Sequence, residues 1–361
     1  MEEGIFINGK LMPFENHGLI EDVVNENTKA AVEFISSWRS QYDSFEVSTS
    51  GSTGIPKLID VSRRQMIVSA EKTVSALKLA NGDASLLCLN ANFIGGKMMI
   101  VRSIIHKMKL HVVEPCLNPL EKFIGKIDFI ALVPMQLEAI LNKADKRELG
   151  VLNSCKAIII GGAAVSVILH QKIREMIQAP IFGTYGMTET VSHIALCDLR
   201  EEEIVYCTLD DTIITKDDRG CLAIKAPVTN DEEVMTNDLV QILNPNTFKW
   251  LGRADNVINT GGIKVSPEIA EKCLEKAFTE LGHDMKFFIG GAPDVELGSK
   301  VCIWVEGDIE FEADALLEFC KKHLPKYHAP KKIYNPMSFE KTASGKINRL
   351  LTIEKSLSEF A

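Results

Sequence analysis

The stretch S-T-S-G-S-T-G-I-P-K, Ser48–Lys57, decides how the rest of the chain is read. It crowds the hydroxyls of Ser48, Thr49, Ser50, Ser52 and Thr53 around Gly51 and Gly54, then adds Pro56 and Lys57. Glycine lets the backbone come close to a phosphate, and consecutive backbone N–H groups form a concavity that binds anions. The hydroxyls add donors and the lysine adds a point charge. The order differs from the G-x-x-x-x-G-K-[ST] of the common nucleotide-binding P-loop. A flexible Ser/Gly linker is the competing reading. A linker, however, has no need of an ordered Pro-Lys followed at once by the strand-like Leu58–Ser62.

Outward from that loop the chain has a clear texture. Residues 1–47 form a short lead-in with helical spacing over Ala30–Trp38, and Gln65–Leu79 repeats that spacing after the loop. From there to about residue 197, short apolar runs (Ser85–Asn90, Lys109–Pro115, Asp128–Pro134, Cys155–Gly162, Ala179–Gly186) alternate with amphipathic segments. That alternation predicts an α/β fold of βα units on a largely parallel sheet. Between about 204 and 251, strand-like pieces follow one another through tight turns, which predicts a small antiparallel sheet or barrel-like unit. A mixed α+β pattern resumes after Gly252-Arg253, with helices expected over Ser266–Leu281 and Ala313–His323. The reading is a large domain over 1–252, a hinge at 253–256 and a smaller, mobile α+β domain over 257–361.

Composition narrows the class. The chain has 361 residues, 46% hydrophobic and 25% charged, enough apolar material for a large core. No run reaches the ~18 apolar residues of a membrane span, and the acidic start lacks a secretory signal pattern. The nine cysteines are scattered without a C-x-x-C pair, which reads as reduced thiols in a cytoplasmic protein. The histidines show no zinc spacing. A net charge of −9 without a basic block argues against nucleic-acid binding.

Further segments give the loop its meaning. Gly183–Thr190 (GTYGMTET), Thr236-Asn237-Asp238, Gly252–Glu271 (GRADNVINTGGIKVSPEIAE) and Lys341–Lys346 (KTASGK) follow it in order. Together with the loop they resemble the motifs of the adenylate-forming superfamily, which contains acyl-CoA synthetases, luciferases and peptide-synthetase adenylation domains. The resemblance spans residues 48–346. It implies an ATP-dependent acid–thiol ligase that makes an acyl-AMP and then passes the acyl group to a thiol, with ATP, Mg²⁺ and coenzyme A as cofactors and co-substrates.

By that resemblance, Ser50, Gly51, Ser52, Thr53, Gly54 and Lys57 hold the β- and γ-phosphates, Thr188 contacts the α-phosphate and Glu189 holds the metal. Gly161, Gly162 and Ala163 line the adenine and acyl pocket, and Tyr185 and Gly186 lie beside the adenine. Asp238 accepts from the ribose hydroxyls, with Arg253 nearby. Lys346 is the catalytic lysine of the first half-reaction, and Asp255 is the hinge residue. In the second half-reaction the strand at Gly261–Lys264 would face the site. Two residues depart from the family pattern: Asn237 stands where Gly is usual, and Phe93 stands where a histidine is frequent. Asn tolerates positive φ better than other non-glycine residues, so the turn can survive.

The segments Ala131–Asn142 and Lys156–Ser166, with the short lead-in, are similar to the short o-succinylbenzoate–CoA ligases of menaquinone biosynthesis. That likeness implies an aromatic dicarboxylate as substrate and a cation or donors for its second carboxylate, with Lys97, Arg102, Ser192 and His193 as candidates. Open alternatives are another aryl- or acyl-CoA ligase, a stand-alone adenylation domain loading a carrier protein, and a non-catalytic nucleotide-binding relative. A docking patch without CoA-dependent AMP release would mark the second, and ATP binding without pyrophosphate exchange the third. Homo-oligomerisation is open.

Overall fold

The computed structural model describes residues 4–8, 10–13, 25–40, 42–48, 58–280, 285–307, 313–342 and 347–359. In chain order, the first half carries β1 (Gly4–Ile7), β2 (Lys10–Pro13), α1 (Glu26–Arg39), β3 (Ser44–Ser48), β4 (Leu58–Ser62), α2 (Arg63–Ala76), β5 (Ala84–Leu87), α3 (Ile94–Ile105) and β6 (Lys109–Val112). Then come β7 (Phe129–Leu132), α4 (Pro134–Lys143), α5 (Lys146–Asn153), β8 (Ala157–Ile160), α6 (Val167–Met176), β9 (Ile181–Gly186) and β10 (His193–Asp198). A meander follows: β11 (Tyr206–Thr208), β12 (Ile213–Lys216), β13 (Cys221–Lys225), β14 (Glu233–Asn244) and β15 (Thr247–Arg253). The last part holds β16 (Ile258–Thr260), β17 (Ile263–Val265), α7 (Pro267–Glu280), β18 (Phe287–Asp294), β19 (Gly298–Val305), α8 (Ala313–His323), β20 (Lys332–Tyr334) and α9 (Arg349–Glu359).

β5, β7 and β8 are buried at every position, as strands covered by helices on both faces must be. They form the parallel centre of a sheet ordered β12-β13-β14-β15-β11-β10-β9-β8-β7-β5-β6-β1-β2. The sheet is parallel from β1 through β6, β5, β7 and β8 to β9 and antiparallel from β9 onward. The antiparallel unit expected near 204–251 is therefore present but not separate. It continues the same sheet, because β10 folds back on β9 and carries the meander with it.

Local chemistry sets the helices. Ser62 caps α2 through a reciprocal box with Gln65, whose Oε1 accepts from the Ser62 N–H at 2.9 Å. Asn25 caps α1, and that helix buries Ala31, Phe34, Ile35 and Trp38, whose ring stacks on Phe45. The strand order reverses between β5 and β7, since β6 lies outside β5 while the chain crosses back to β7. In open α/β sheets such a reversal leaves a crevice at the carboxyl ends of the strands.

A separate apolar core begins after the turn Ala254–Asn256. Ile258, Val265, Leu274, Phe278 and Ile303 make one cluster, and Phe288, Trp304, Tyr334 and Phe339 make another against a sheet ordered β18-β19-β20. α7 lies against α6 and β15, and Glu275 Oε1 accepts from the Val167 N–H at 3.0 Å. A carboxylate of the last part thus caps the N-terminus of a helix in the first.

Candidate active site

Several of the expected residues lie at the carboxyl ends of the neighbouring strands β8 and β9. Gly161 is half-buried at the end of β8, and Gly162 and Ala163 are exposed just beyond it. Gly162 has φ +85°, a conformation that favours glycine. Phe93 precedes α3 at the mouth of the β5 end and is 55% exposed. Tyr185 and Gly186 end β9, and Thr188–Thr190 form a single 3₁₀ turn before β10.

That turn leads into a strand rather than a helix. His193 is the first residue of β10, opposite Gly186 in register. The backbones are so close that a Cβ on Gly186 would lie 2.2 Å from the Ser192 carbonyl oxygen. Glu189 is exposed at the turn, with no hydrogen-bond or ion-pair partner among the described residues, while Thr188 is half-buried.

The pairing of β14 with β15 sets Asp238 beside Arg253 in register. Asp238 is held from two sides: the Tyr185 hydroxyl donates to Oδ2 at 2.7 Å and Trp250 Nε1–H to Oδ1 at 3.0 Å. An ionised carboxylate has about four acceptor positions, so capacity remains for a diol. Tyr185 packs edge-on against Tyr206 and Phe248, and burial, then Asp238, pushes its hydroxyl far above the usual phenol range. Its polar end supports Asp238, while its ring belongs to the core as well as to the site. Trp250 was not foreseen. Its place opposite Val240, within reach of Asp238, depends on a bulge in the β14–β15 pairing that local sequence does not show.

Asn237 needs no special turn. It lies within β14 without positive φ, and its Oδ1 accepts from Arg219 at 3.0 Å. The departure from glycine is therefore harmless for an ordinary strand reason, not through left-handed tolerance. Arg253 forks onto Asp255 at 2.8 and 2.6 Å and reaches Asp238 at 3.8 Å. Arg253 holds the Asp255 carboxyl below its ordinary range, and Asp255 raises the guanidinium in turn. Lys264 is exposed on β17.

Behind the turn lies a buried polar group. Arg102 on α3 is 2% exposed; its Nη2 donates to Ser192 Oγ at 2.9 Å, and Nε has no partner among the described residues. No carboxylate pairs with it among those residues. Burial pushes the guanidinium down to about 9, which still leaves it charged at neutral pH. His193 adjoins it, with Nδ1 3.4 Å from Ser192 Oγ and Nε2 3.1 Å from Thr73 Oγ1 on α2. Burial, then Arg102, keeps the imidazole well below its ordinary range. Lys97 does not join this group. It points the other way along α3, donating to the Glu46 carbonyl at 3.2 Å over the Phe34 ring. The loop residues Ser50, Gly51, Ser52, Thr53, Gly54 and Lys57, and the lysine Lys346, lie outside the described residues.

The chain is similar to several known proteins. Residues 47–212 match the AMP-binding enzyme family. The crystal structure of an acyl-CoA synthetase (AMP-forming)/AMP-acid ligase II-like protein from Dyadobacter fermentans is 38% identical, covers 92% of this chain and 95% of that one, and gives a TM-score of 0.61. A 2-succinylbenzoate–CoA ligase from Bacillus cereus is 26% identical over 341 residues, 84% of this chain and 68% of that protein. The fold also matches an O-succinylbenzoate coenzyme A synthetase from Bacillus subtilis solved with ATP and magnesium, at 22% identity and TM-score 0.74, covering 85% and 69%. The chain belongs to the adenylate-forming, AMP-binding enzyme family, as an acid–thiol ligase of the AMP-forming acyl-CoA synthetase type. No helix among the described residues is long and apolar enough to cross a membrane.

Proposed function

We propose that this enzyme activates an acid bearing a second carboxylate, o-succinylbenzoate, as its acyl-AMP and transfers the acyl group to coenzyme A in the cytoplasm. The observation that carries the choice of acid is Arg102, a buried guanidinium beside the site with no carboxylate partner among the described residues. An unpaired buried charge is costly, and a ligand carboxylate offsets that cost. Ser192 holds the guanidinium by accepting from its Nη2. Lys97 is not part of the proposal.

In the first half-reaction the acid's carboxylate oxygen bonds to the α-phosphorus and pyrophosphate leaves. Asp238, steadied by Tyr185 and Trp250, accepts from the ribose hydroxyls, and Arg253 lies alongside. Thr188 and the Ser50–Lys57 loop bind phosphate oxygens. Glu189, an exposed carboxylate without a partner among the described residues, suits Mg²⁺, a cation that takes few protein ligands and shares itself with phosphates. When bound, the ion neutralises phosphate charge. Lys346 adds a positive charge where negative charge builds at the α-phosphate, an effect commonly worth ~10²–10³ in rate. In the second half-reaction the sulfur of coenzyme A bonds to the acyl carbon and AMP leaves. Residues 253–256 act as the hinge between domains 1–252 and 257–361, bringing Gly261–Lys264 toward the site.

A panel of o-succinylbenzoate, benzoates and short and medium fatty acids, each with ATP and coenzyme A, tests the acid. Arg102→Met should lower kcat/KM for o-succinylbenzoate by about 30-fold or more, an ordinary consequence of losing one partner of a buried charge pair. It should change turnover of monocarboxylates by only a few fold. Failure of the wild-type enzyme to use o-succinylbenzoate would remove the acid and leave the ligase reading standing.

A further inference from the structure

Arg102 is aimed by residues that do not themselves face the crevice. Arginine only donates, so Ser192 Oγ must accept from its Nη2. At the other end of the group, Thr73 is fully buried in α2, and its hydroxyl hydrogen is committed to the Ser69 carbonyl at 2.9 Å, the back-bond usual for a helical threonine. Thr73 Oγ1 can therefore only accept from His193 Nε2, 3.1 Å away. That places the ring proton on Nε2 and leaves Nδ1 a bare acceptor, so the Ser192 hydroxyl hydrogen points to Nδ1 across 3.4 Å. The donors run in one consistent sense from each end: Arg102 to Ser192 to His193, and His193 to Thr73 to the Ser69 carbonyl.

We propose that His193 is a positioning residue, locked as the neutral Nε2–H tautomer by Thr73, which orients Ser192 and through it the Arg102 guanidinium for the acid's second carboxylate. The proposal rests on the reading of Arg102 given above. Burial and the neighbouring guanidinium both disfavour a charged imidazole, in keeping with a neutral ring. A protonated ring would donate from both nitrogens, turn the Ser192 hydroxyl around and set a second positive charge against Arg102. The two helices α2 and α3 and the start of β10 are thus tied by one directional chain.

Two arms test it. In the ligand-free enzyme with ¹⁵N-labelled histidine, the His193 signal (assigned by its loss in His193→Asn) should show a neutral ring whose proton-bearing nitrogen correlates with both carbon-bound ring protons. An Nδ1–H tautomer or an imidazolium would overturn the proposal. In steady-state kinetics His193→Phe should raise KM for o-succinylbenzoate about 10-fold while KM for ATP stays within 2-fold, and His193→Asn, which keeps an acceptor near the Nδ1 position, should recover most of that loss. Equal rises in both KM values, or no rescue by Asn, would reduce His193 to packing. Thr73→Val should shift the tautomer signal without lowering ATP affinity, which separates the relay from a general folding defect; an unchanged signal would overturn the lock. The labelled-ring measurement needs no acid, so it decides the tautomer even if o-succinylbenzoate proves the wrong substrate.

Discussion

At the scale of single residues, the site is a matter of which polar atoms already have partners. Asp238 is held by Tyr185 and Trp250 before any nucleotide arrives, which pays part of the ordering cost in advance. Trp250→Phe removes one hydrogen bond to a charged group, worth about 1.5–3 kcal/mol. Measured by ATP titration, KM should rise roughly 10-fold or more with kcat little changed, because the bond is present equally before and during reaction. A loss confined to kcat would contradict the assignment. Asp238→Ala should raise the ATP KM further still. Legibility divides along the same line. Glu189, Thr188 and Asp238 could be proposed from motif order, since the chemistry calls for those residue types. Trp250 and Thr73 could not, because their roles depend on a strand register and a helix–strand contact that local sequence does not encode. Lys97 misled because a lysine in a glycine-rich segment has the right chemistry, and only the rotation of α3 sends it to Glu46.

At the scale of elements, the crevice depends on β9 and β10 meeting without side chains between them. Gly186 faces His193 in register, and a methyl group there would have to displace backbone of the opposing strand. Backbone cannot yield as a flexible side chain can, so Gly186→Ala should destabilise the enzyme by about 2–4 kcal/mol. Chemical denaturation would measure it; a change below 0.5 kcal/mol would show that the opposing backbone relaxes freely. The alternation of apolar runs gave the parallel strands because full burial on both faces leaves a plain signature. It also suggested a small antiparallel unit over 204–251, and the antiparallel meander found there continues the main sheet. Turn-rich antiparallel segments look alike whether they stand alone or continue a sheet, so that distinction lay beyond the sequence.

At the scale of the whole molecule, the last part meets the first where α7 lies against α6 and β15, and the Glu275 carboxylate caps α6 there. Burial raises the Glu275 carboxyl above its ordinary range, while the Val167 and Ile168 N–H groups pull it back. A charge at a partly buried helix N-terminus contributes up to about 2 kcal/mol. Glu275→Gln should therefore increase the population of separated arrangements by about 5–30-fold. Limited proteolysis within residues 253–256 would register this as faster cleavage; an unchanged rate would mean the cap does not hold the parts together. The central claim is that ATP is split to AMP and pyrophosphate only in the company of the right acid, with Lys346 supplying charge at the α-phosphate. The most direct measurement is acid-dependent ATP–pyrophosphate exchange, in wild type and Lys346→Ala, followed by AMP release on adding coenzyme A. Exchange with o-succinylbenzoate should fall by ~10²–10³ in Lys346→Ala, and AMP release should require coenzyme A. Exchange without any acid, or undiminished exchange in Lys346→Ala, would contradict it.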